Sequence, residues 1–210
     1  MRQGLKLVAG LVLPLVVLVG CSQAEAEAEP VITYPSETVE EPSEATSEEW
    51  TVPSKEELYP YPKPEMPAIA QEHTQAGAEA FSKYFIETYA FAMATRDAEA
   101  MASLCTERAE FCRFHVDLID SALRTDSYYL DYRLHDLEVT GSLEGGSNEY
   151  VEWGTQLIGY ISPSSLHFGD GSEPKLFDEF HFVAGVEVSW DDGWKVEEAQ
   201  AVDYSEVYDD

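Results

Sequence analysis

The chain has 210 residues, of which 41 are Asp or Glu and 12 are Lys or Arg, and its formal net charge at pH 7 is −29. This charge disfavours binding to nucleic acid or to an anionic bilayer surface, because both would repel the protein. It does not indicate a basic partner, since a solvated and self-repelling surface has the same composition.

The chain opens with a short secretory pattern. Arg2 and Lys6 precede an apolar run over residues 7–19, interrupted by Gly10 and Pro14. The run is shorter than the ~20 residues that a membrane-spanning helix needs. It is typical of the apolar region of a signal peptide.

The run ends in Leu18-Val19-Gly20-Cys21, which resembles a bacterial lipobox. The resemblance implies that residues 1–20 are removed and that the thiol of Cys21 is lipidated at the new N-terminus. Two acyl chains at one site would form a stable anchor. We therefore expect a protein anchored to the cell membrane on its extracytoplasmic face. The alternatives are an ordinary signal peptide with an incidental cysteine, or a retained membrane helix, which Pro14 disfavours.

Residues 21–66 are rich in Glu and Pro and carry no periodic apolar pattern. Such a segment cannot bury enough surface to offset the entropy of ordering it. The stretch from Tyr59 to Pro67, where this segment meets the domain, favours an extended polyproline conformation. We predict a disordered, acidic tether for a folded domain at 67–205. Recognition of the proline-rich run by a partner is the alternative.

Three helices are predicted at the start of the domain. Thr74 is a candidate N-cap for a helix over residues 76–94, whose aromatic residues recur on one face. Asp97 is a candidate cap for a short helix over residues 98–104, and a third helix covers residues 109–123. Aromatic residues at helical spacing are interpreted as core rather than as a ligand pocket.

With Cys21 assigned to lipid, the remaining cysteines are Cys105 and Cys112. An even pair close in sequence predicts a disulfide in an extracytoplasmic protein, with a stabilisation of about 2–3 kcal/mol. A redox-active or metal-binding pair is the alternative. The spacing does not match Cys-x-x-Cys, and no His/Cys cluster completes a zinc site.

From Tyr128 onward the apolar period changes from 3.6 to 2 residues. The pattern predicts four strands, with a bulge at His135-Asp136 in the first. Their limits are 128–139, 150–161, 176–190 and 194–202, separated by a turn at 141–148, a polar loop at 163–174 and a hairpin turn at 191–193. The acidic tail from Asp203 is expected to be loose at its end.

These elements predict an α+β fold in which three N-terminal helices pack on a curved, four-stranded antiparallel sheet. The plan resembles the cone of nuclear-transport-factor-two-like domains, which is related to the cystatin-like shape. The hairpin at 189–196, Ser-Trp-Asp-Asp-Gly-Trp-Lys-Val, is similar to the closing hairpin of many such domains.

Residues 64–202 also resemble a family of uncharacterised actinobacterial lipoproteins. The matching features are Pro64-Glu65-Met66-Pro67, Glu72-His73-Thr74, Gly77-Ala78-Glu79-Ala80-Phe81, Thr95-Arg96-Asp97 and the paired cysteines. The resemblance implies a fold and a location in the cell envelope. It implies no mechanism.

Cone folds often bind a small hydrophobic molecule, and some members are isomerases or dehydratases that need an inward carboxylate or His–Asp pair. The candidates here are Asp178 and His181, with Tyr84 or Tyr132 as oxyanion donors. Residues three apart on a regular strand point to opposite faces, so this pair could share a pocket only through a bulge. His181 also alternates with Phe180 and Phe182, and it is expected on the solvated face if those rings point inward. No residue pattern indicates a metal or a cofactor.

The favoured hypothesis is a non-enzymatic, lipid-anchored domain that binds a small hydrophobic ligand or an envelope protein. The alternatives are a small-molecule isomerase or dehydratase that uses an inward carboxylate or His, and a module that forms a homodimer through its sheet. The discriminating feature is whether Asp178 or Asp131 projects into an apolar cavity.

Replacing the lipidated thiol tests the anchor. We expect Cys21→Ser to release the protein from membranes or to block its processing, because serine cannot form the thioether. Fractionation of membranes and the mass of the processed chain measure this. Normal processing with unchanged membrane retention would contradict the lipobox prediction.

Overall fold

The computed structural model describes residues 51–208. The predicted signal peptide, Cys21 and the tether up to residue 50 lie outside the described residues. The described part is an α+β structure with five α-helices and two antiparallel sheets. The helices are α1 (Lys55–Leu58), α2 (Gln75–Thr95), α3 (Ala98–Ala102), α4 (Glu110–Arg124) and α5 (Tyr204–Tyr208), with a 3-10 turn at Ala68–Gln71.

The strands are β1 (Tyr128–Leu130), β2 (Leu134–Glu144), β3 (Trp153–Ile161), β4 (Ser164–His167), β5 (Lys175–Phe177), β6 (Phe180–Trp190) and β7 (Trp194–Asp203). One sheet has four strands in the order β2-β3-β6-β7, and the other has three in the order β1-β4-β5. The four-stranded sheet packs on α2. The interface between them contains fully buried side chains from the helix, Phe81 and Phe85, and from the sheet, Leu157, Val186 and Val196.

The predicted helices are confirmed, with ends shifted by one or two residues. Thr74 caps α2, because its hydroxyl accepts a hydrogen bond from the Gly77 N–H at 3.1 Å. The Asp97 carboxylate caps α3 in the same way by accepting from the Ala100 N–H. The predicted disulfide between Cys105 and Cys112 is present and ties the segment after α3 to the first turn of α4.

The first predicted strand is two strands in different sheets. Asp131 has φ 60° and Asp136 has φ 49°, left-handed conformations that Asp tolerates better than most residues. The first ends β1, and the second lies at the predicted bulge, where the register of β2 on β3 shifts between His135 and Glu138. The predicted polar loop at 163–174 contains β4, which pairs with β1 and β5.

The folded region extends beyond both predicted ends. Directly after Asp203 the chain forms α5, and the last two residues, where a loose end was predicted, lie outside the described residues. Near the other end, Ser54 forms a capping box with Glu57 at the start of α1, and Leu58 is buried. The Tyr59 ring meets Phe91 edge to face, with ring centroids 5.3 Å apart. Part of the segment assigned to the tether therefore packs on the domain.

The start of the domain contacts the closing hairpin. The His73 ring stacks on Trp190 with centroids 4.6 Å apart, and its Nε2 lies 2.6 Å from a Glu152 carboxylate oxygen. The Trp194 indole N–H donates to the backbone carbonyl of Glu72 at 2.9 Å. The loop before β3 and the β6–β7 hairpin, both far from α2 in sequence, therefore hold residues 72 and 73 in place before this helix.

Strand β7 forms hydrogen bonds with the segment between α3 and α4. Val196 exchanges backbone hydrogen bonds with Leu104 and Thr106. Glu197 is an extra residue in the register between β6 and β7, and its side chain is 1% exposed. Its carboxylate accepts two hydrogen bonds from Arg108, at 2.6 and 3.0 Å, and others from Thr106 and Ser189.

The next residue along β7 caps α4. Ala109 precedes α4 and has no side-chain oxygen, so it cannot serve as an N-cap. The Glu198 carboxylate accepts hydrogen bonds from the backbone N–H groups of Glu110 and Phe111 instead, at 3.2 and 3.1 Å. A negative charge at a helix N-terminus also interacts favourably with the helix dipole.

Within residues 51–208, every helix is too short or too polar to pass through a bilayer.

Removing the Glu197 charge tests its role in the fold. Burial raises the pKa of this carboxyl, but the hydrogen bonds from Arg108, Ser189 and Thr106 outweigh burial and lower it. A depressed folded pKa means that the stabilisation is present above the unfolded value near 4.5 and is lost as the pH falls. We expect Glu197→Gln to lower the free energy of unfolding by about 1.5–3 kcal/mol at about pH 7.

The difference between the variant and the wild type should shrink at about pH 3, because the stabilisation is progressively lost below the unfolded pKa. Urea denaturation at both pH values measures it, with Glu173→Gln in an exposed loop as the matched control. An equal destabilisation at both pH values would show that the charge does not matter.

Candidate functional site

The catalytic candidates from the sequence do not form a site. Asp178 is exposed and precedes β6. His181 is 58% exposed, and its Nε2 lies 2.8 Å from a carboxylate oxygen of Glu179. Tyr84 is half-buried against the core. None of these residues lines a cavity described below, and Asp131 is exposed in a surface ion pair with Arg133.

A cavity of about 240 Å³ lies between α2, α4 and the four-stranded sheet. We call it the neutral pocket, because its lining among the described residues contains no Asp, Glu, Lys or Arg. Aromatic residues and a histidine form much of its wall, namely Tyr89, Phe111, His115, Tyr132, Phe180 and Phe182. Most of the rest is Ala, Ile and Leu. The neutral pocket is thus an apolar cavity with few polar groups, which is typical of a small-molecule site.

Two of these polar groups are the hydroxyls of Tyr89 and Tyr132. Burial raises the pKa of Tyr89 to about 12 and raises that of Tyr132 well above its ordinary value. Both hydroxyls stay protonated at neutral pH. The hydroxyl proton of Tyr89 is therefore available to a ligand.

The third polar group is His115, which is half-buried one turn after Phe111 on α4. Its Nδ1 lies 2.9 Å from the Phe111 carbonyl oxygen. A carbonyl only accepts, so Nδ1 carries the proton, and Nε2 of the neutral ring is an acceptor. Burial lowers the pKa of His115, although the bond to Phe111 acts in the opposite direction. The ring lies edge to face with Tyr89, with centroids 4.9 Å apart.

The sequence predicts Tyr132 as a possible donor and Tyr89 as a core residue. His115 was not among its candidates. The only local signal was the spacing of Phe111 and His115, which places both on one face of α4. Tyr132 comes from the bend between β1 and β2, so the chain pattern could not bring it to Tyr89.

A polar cleft of about 330 Å³ lies beside the middle of α2. Glu87, Lys83, His135 and Asp136 are among its lining residues. Burial raises the pKa of the Glu87 carboxyl, and the nearby Lys83 ammonium lowers it. A further groove of about 600 Å³ crosses the sheet and has Glu187 and Glu198 in its lining. Within residues 51–208, no group of three His, Cys, Asp or Glu residues could hold a metal ion.

A model of a family of unknown function, DUF6318, matches residues 60–199. The match covers more than half of the chain, and the chain belongs to that family. The comparison with curated proteins gives no match.

Two solved structures are similar in part. The intermembrane space region of the chloroplast protein ARC6 is 14% identical, with a TM-score of 0.48, over 63% of this chain and 98% of that chain. A domain of unknown function with a cystatin-like fold from Nostoc punctiforme is 14% identical, with a TM-score of 0.34, over 62% and 79%. Neither likeness is close enough to indicate a function.

The titration of His115 tests the geometry of the neutral pocket. We expect its pKa to lie below the ordinary value of 6.5, because burial disfavours the imidazolium. NMR of the ring nitrogens measures this value and the Nδ1–H tautomer. Since the folded pKa is depressed, the contribution of His115 to stability is fully present above the unfolded value of 6.5 and is lost as the pH falls through the folded pKa. A midpoint at or above 6.5 would contradict the buried, neutral ring.

Proposed function

We propose that this chain is a lipid-anchored protein of the cell envelope whose folded part binds a small, uncharged, largely apolar molecule in the neutral pocket. The observation that carries the proposal is the lining of this pocket. It combines apolar walls with the Tyr89 hydroxyl as a donor and the His115 Nε2 as an acceptor. The ligand class follows from these groups.

The absence of charge in the lining selects against ions. A charged ligand would lose its hydration without gaining an opposite charge, which is costly in an apolar site. A ligand with one hydroxyl or carbonyl group would satisfy the Tyr89 donor or the His115 acceptor. An apolar ligand without such a group would leave these polar groups unpaired once water is displaced.

The volume of the neutral pocket limits the ligand to a small molecule. At about 240 Å³ the pocket is smaller than the ~300–1,000 Å³ of sites for drug-sized ligands. An apolar cavity of ~150 Å³ in another protein accommodates benzene. We therefore propose a single ring with a small substituent, or a short acyl chain, as the ligand.

The proposed location rests on the first 21 residues. The positively charged start, the short apolar run and the sequence Leu-Val-Gly-Cys agree with lipidation at Cys21. The acidic, proline-rich residues between Cys21 and the folded part would hold the neutral pocket away from the bilayer. The proposal includes a cone-like arrangement of the helices on the four-stranded sheet, with the neutral pocket at its open end.

A partner protein, or a second copy of the chain on the sheet, is less well supported. The groove that crosses the sheet has Glu187 and Glu198 in its lining, and like charges facing each other across an interface disfavour association. The isomerase or dehydratase alternative would use His115 as the base and Tyr89 as the donor. It would no longer rest on Asp178 and His181, which are exposed.

Binding of phenol tests the proposal. The protein for this experiment is the chain from residue 21 to 210 with Cys21→Ser, which keeps the tether and every folded residue. We expect calorimetry to detect phenol binding, and we expect Tyr89→Phe to weaken it about fivefold through the loss of one neutral hydrogen bond. The same variant should leave toluene binding unchanged, because toluene cannot accept that bond.

A pair of alanine variants locates the site. Ala201 lies at the exposed side of the neutral pocket, and we expect Ala201→Trp to weaken phenol binding about tenfold or more by filling it. Ala102→Trp on the exposed surface of α3 is the matched control and should have no effect. If phenol does not bind, or binds equally well to Ala201→Trp, the neutral pocket is not the site.

A further inference from the structure

A second cavity, of about 630 Å³, lies at the C-terminal ends of the two long helices. Its walls come from the second half of α4, the end of α2, β1, the end of β4 and residues 168–170 after β4. It shares no lining residue with the neutral pocket. We call it the arginine cavity, because Arg96 and Arg124 both line it.

These two arginines differ from the other basic residues of the chain. All the Lys and Arg residues except Arg2 and Lys6 lie in the described part. Most of the other basic residues lie near carboxylates, namely Lys55, Lys83, Arg108, Arg113 and Arg133. The Lys195 ammonium donates to a backbone carbonyl, and the ammonium groups of Lys63 and Lys175 lie over aromatic rings. Within residues 51–208, the side chains of Arg96 and Arg124 form no hydrogen bond or ion pair. In so acidic a protein, two unneutralised guanidinium groups at one cavity require an explanation.

The side chain of Arg96 is half-buried, and its Nε–H group is fully buried without a hydrogen-bond partner in the described part of the chain. A buried N–H that has left water without gaining an acceptor destabilises the fold. Native structures contain few such groups, and they are often completed by a ligand, an ion or water.

The backbone of Arg96 is also unfavourable for its residue type. Arg96 ends α2 with φ 58° and ψ 38°, a left-handed conformation that favours glycine or asparagine. A helix end of this kind does not need arginine. The residue therefore costs stability through its backbone as well as through its buried Nε–H, and a role for its side chain in binding explains both.

The rest of the lining indicates the body of the ligand. One wall of the arginine cavity is apolar and consists of Met93, Leu118, Tyr129, Leu166 and Phe168. Gly169 packs closely on the end of α4: a Cβ atom built at this position would lie 2.2 Å from the Thr125 carbonyl oxygen. Only glycine allows that approach, so the segment that closes the arginine cavity is held at a defined distance from α4.

Two carboxylates also line the arginine cavity and limit the charge that it accepts. Asp126 and Asp170 are both exposed, and neither forms an ion pair with Arg96 or Arg124. The Asp170 carboxylate accepts a hydrogen bond from the Ser172 N–H in its own loop. Their charges, added to the net charge of −29, disfavour a phosphate or other multiply charged anion.

We propose that the arginine cavity binds a small organic monocarboxylate, whose carboxylate contacts Arg96 and Arg124 and whose apolar body lies against the hydrophobic wall. Guanidinium groups match the planar geometry of a carboxylate and bind it through paired hydrogen bonds. The site is independent of the neutral pocket, and the proposal does not rest on the function proposed for that pocket.

Benzoate is the probe, with benzamide as the uncharged molecule of the same shape. Calorimetry on the chain from residue 21 to 210 with Cys21→Ser should show benzoate binding and benzamide binding about tenfold weaker or absent. Arg96→Gln and Arg124→Gln should each weaken benzoate binding about tenfold. Arg113→Gln, which removes an exposed charge of α4 that pairs with Glu110, is the matched control and should have no effect.

Arg96→Gly separates binding from folding. Glycine suits the left-handed backbone, so this variant should melt at or above the temperature of Arg96→Gln and still lose benzoate binding. Ala201→Trp, which fills the neutral pocket, should leave benzoate binding unchanged. The proposal is wrong if benzoate does not bind, if benzamide or inorganic phosphate binds as well as benzoate, or if the Arg96 variants bind like the wild type.

Discussion

The arrangement of the helices around both cavities depends on one irregularity in β7. Glu197 is an extra residue in the register with β6. In a regular strand, consecutive side chains point to opposite faces, so Glu197 and Glu198 could not both serve the same helical segment. The bulge removes this restriction. Glu197 binds Arg108 just before α4, Glu198 accepts from the first N–H groups of the helix, and the disulfide closes the same region.

Helix α4 then contributes to two cavities of different chemistry. Its first half places Phe111 and His115 in the neutral pocket, and its second half places Leu118 and Arg124 in the arginine cavity. The contrast arises from charge. The first lining has no ionised group in it, whereas the second has two guanidinium groups that the protein itself does not neutralise. A domain of this size can hold both because the long helix spans the distance between them.

Much of the local structure could be predicted from the sequence. Thr74 and Asp97 cap the starts of two helices, and such caps depend only on contacts within one turn. The disulfide could be predicted because its two cysteines are close in sequence. The division of the first strand, the strand β4 and the packing of residues 54–66 could not be predicted. The left-handed conformation of Asp131, which ends β1, has no clear signal in the sequence. The pairing of β4 and the packing of residues 54–66 depend on contacts with residues far along the chain. The anchor at Cys21 stays a prediction.

The candidate site shows the same division. By itself, the sequence determined the α+β class, the three main helices, the disulfide and the acidic surface, because composition, caps and periodicity act over short distances. Only the tertiary structure decided which polar groups face a cavity. Asp178 and His181 are exposed despite their suitable chemistry, while Tyr89, His115 and Tyr132 meet across three separate segments. The chemistry of a cavity depends on the strand register and the helix packing that bring distant side chains together. Neither the register nor the packing can be predicted from a local stretch of sequence.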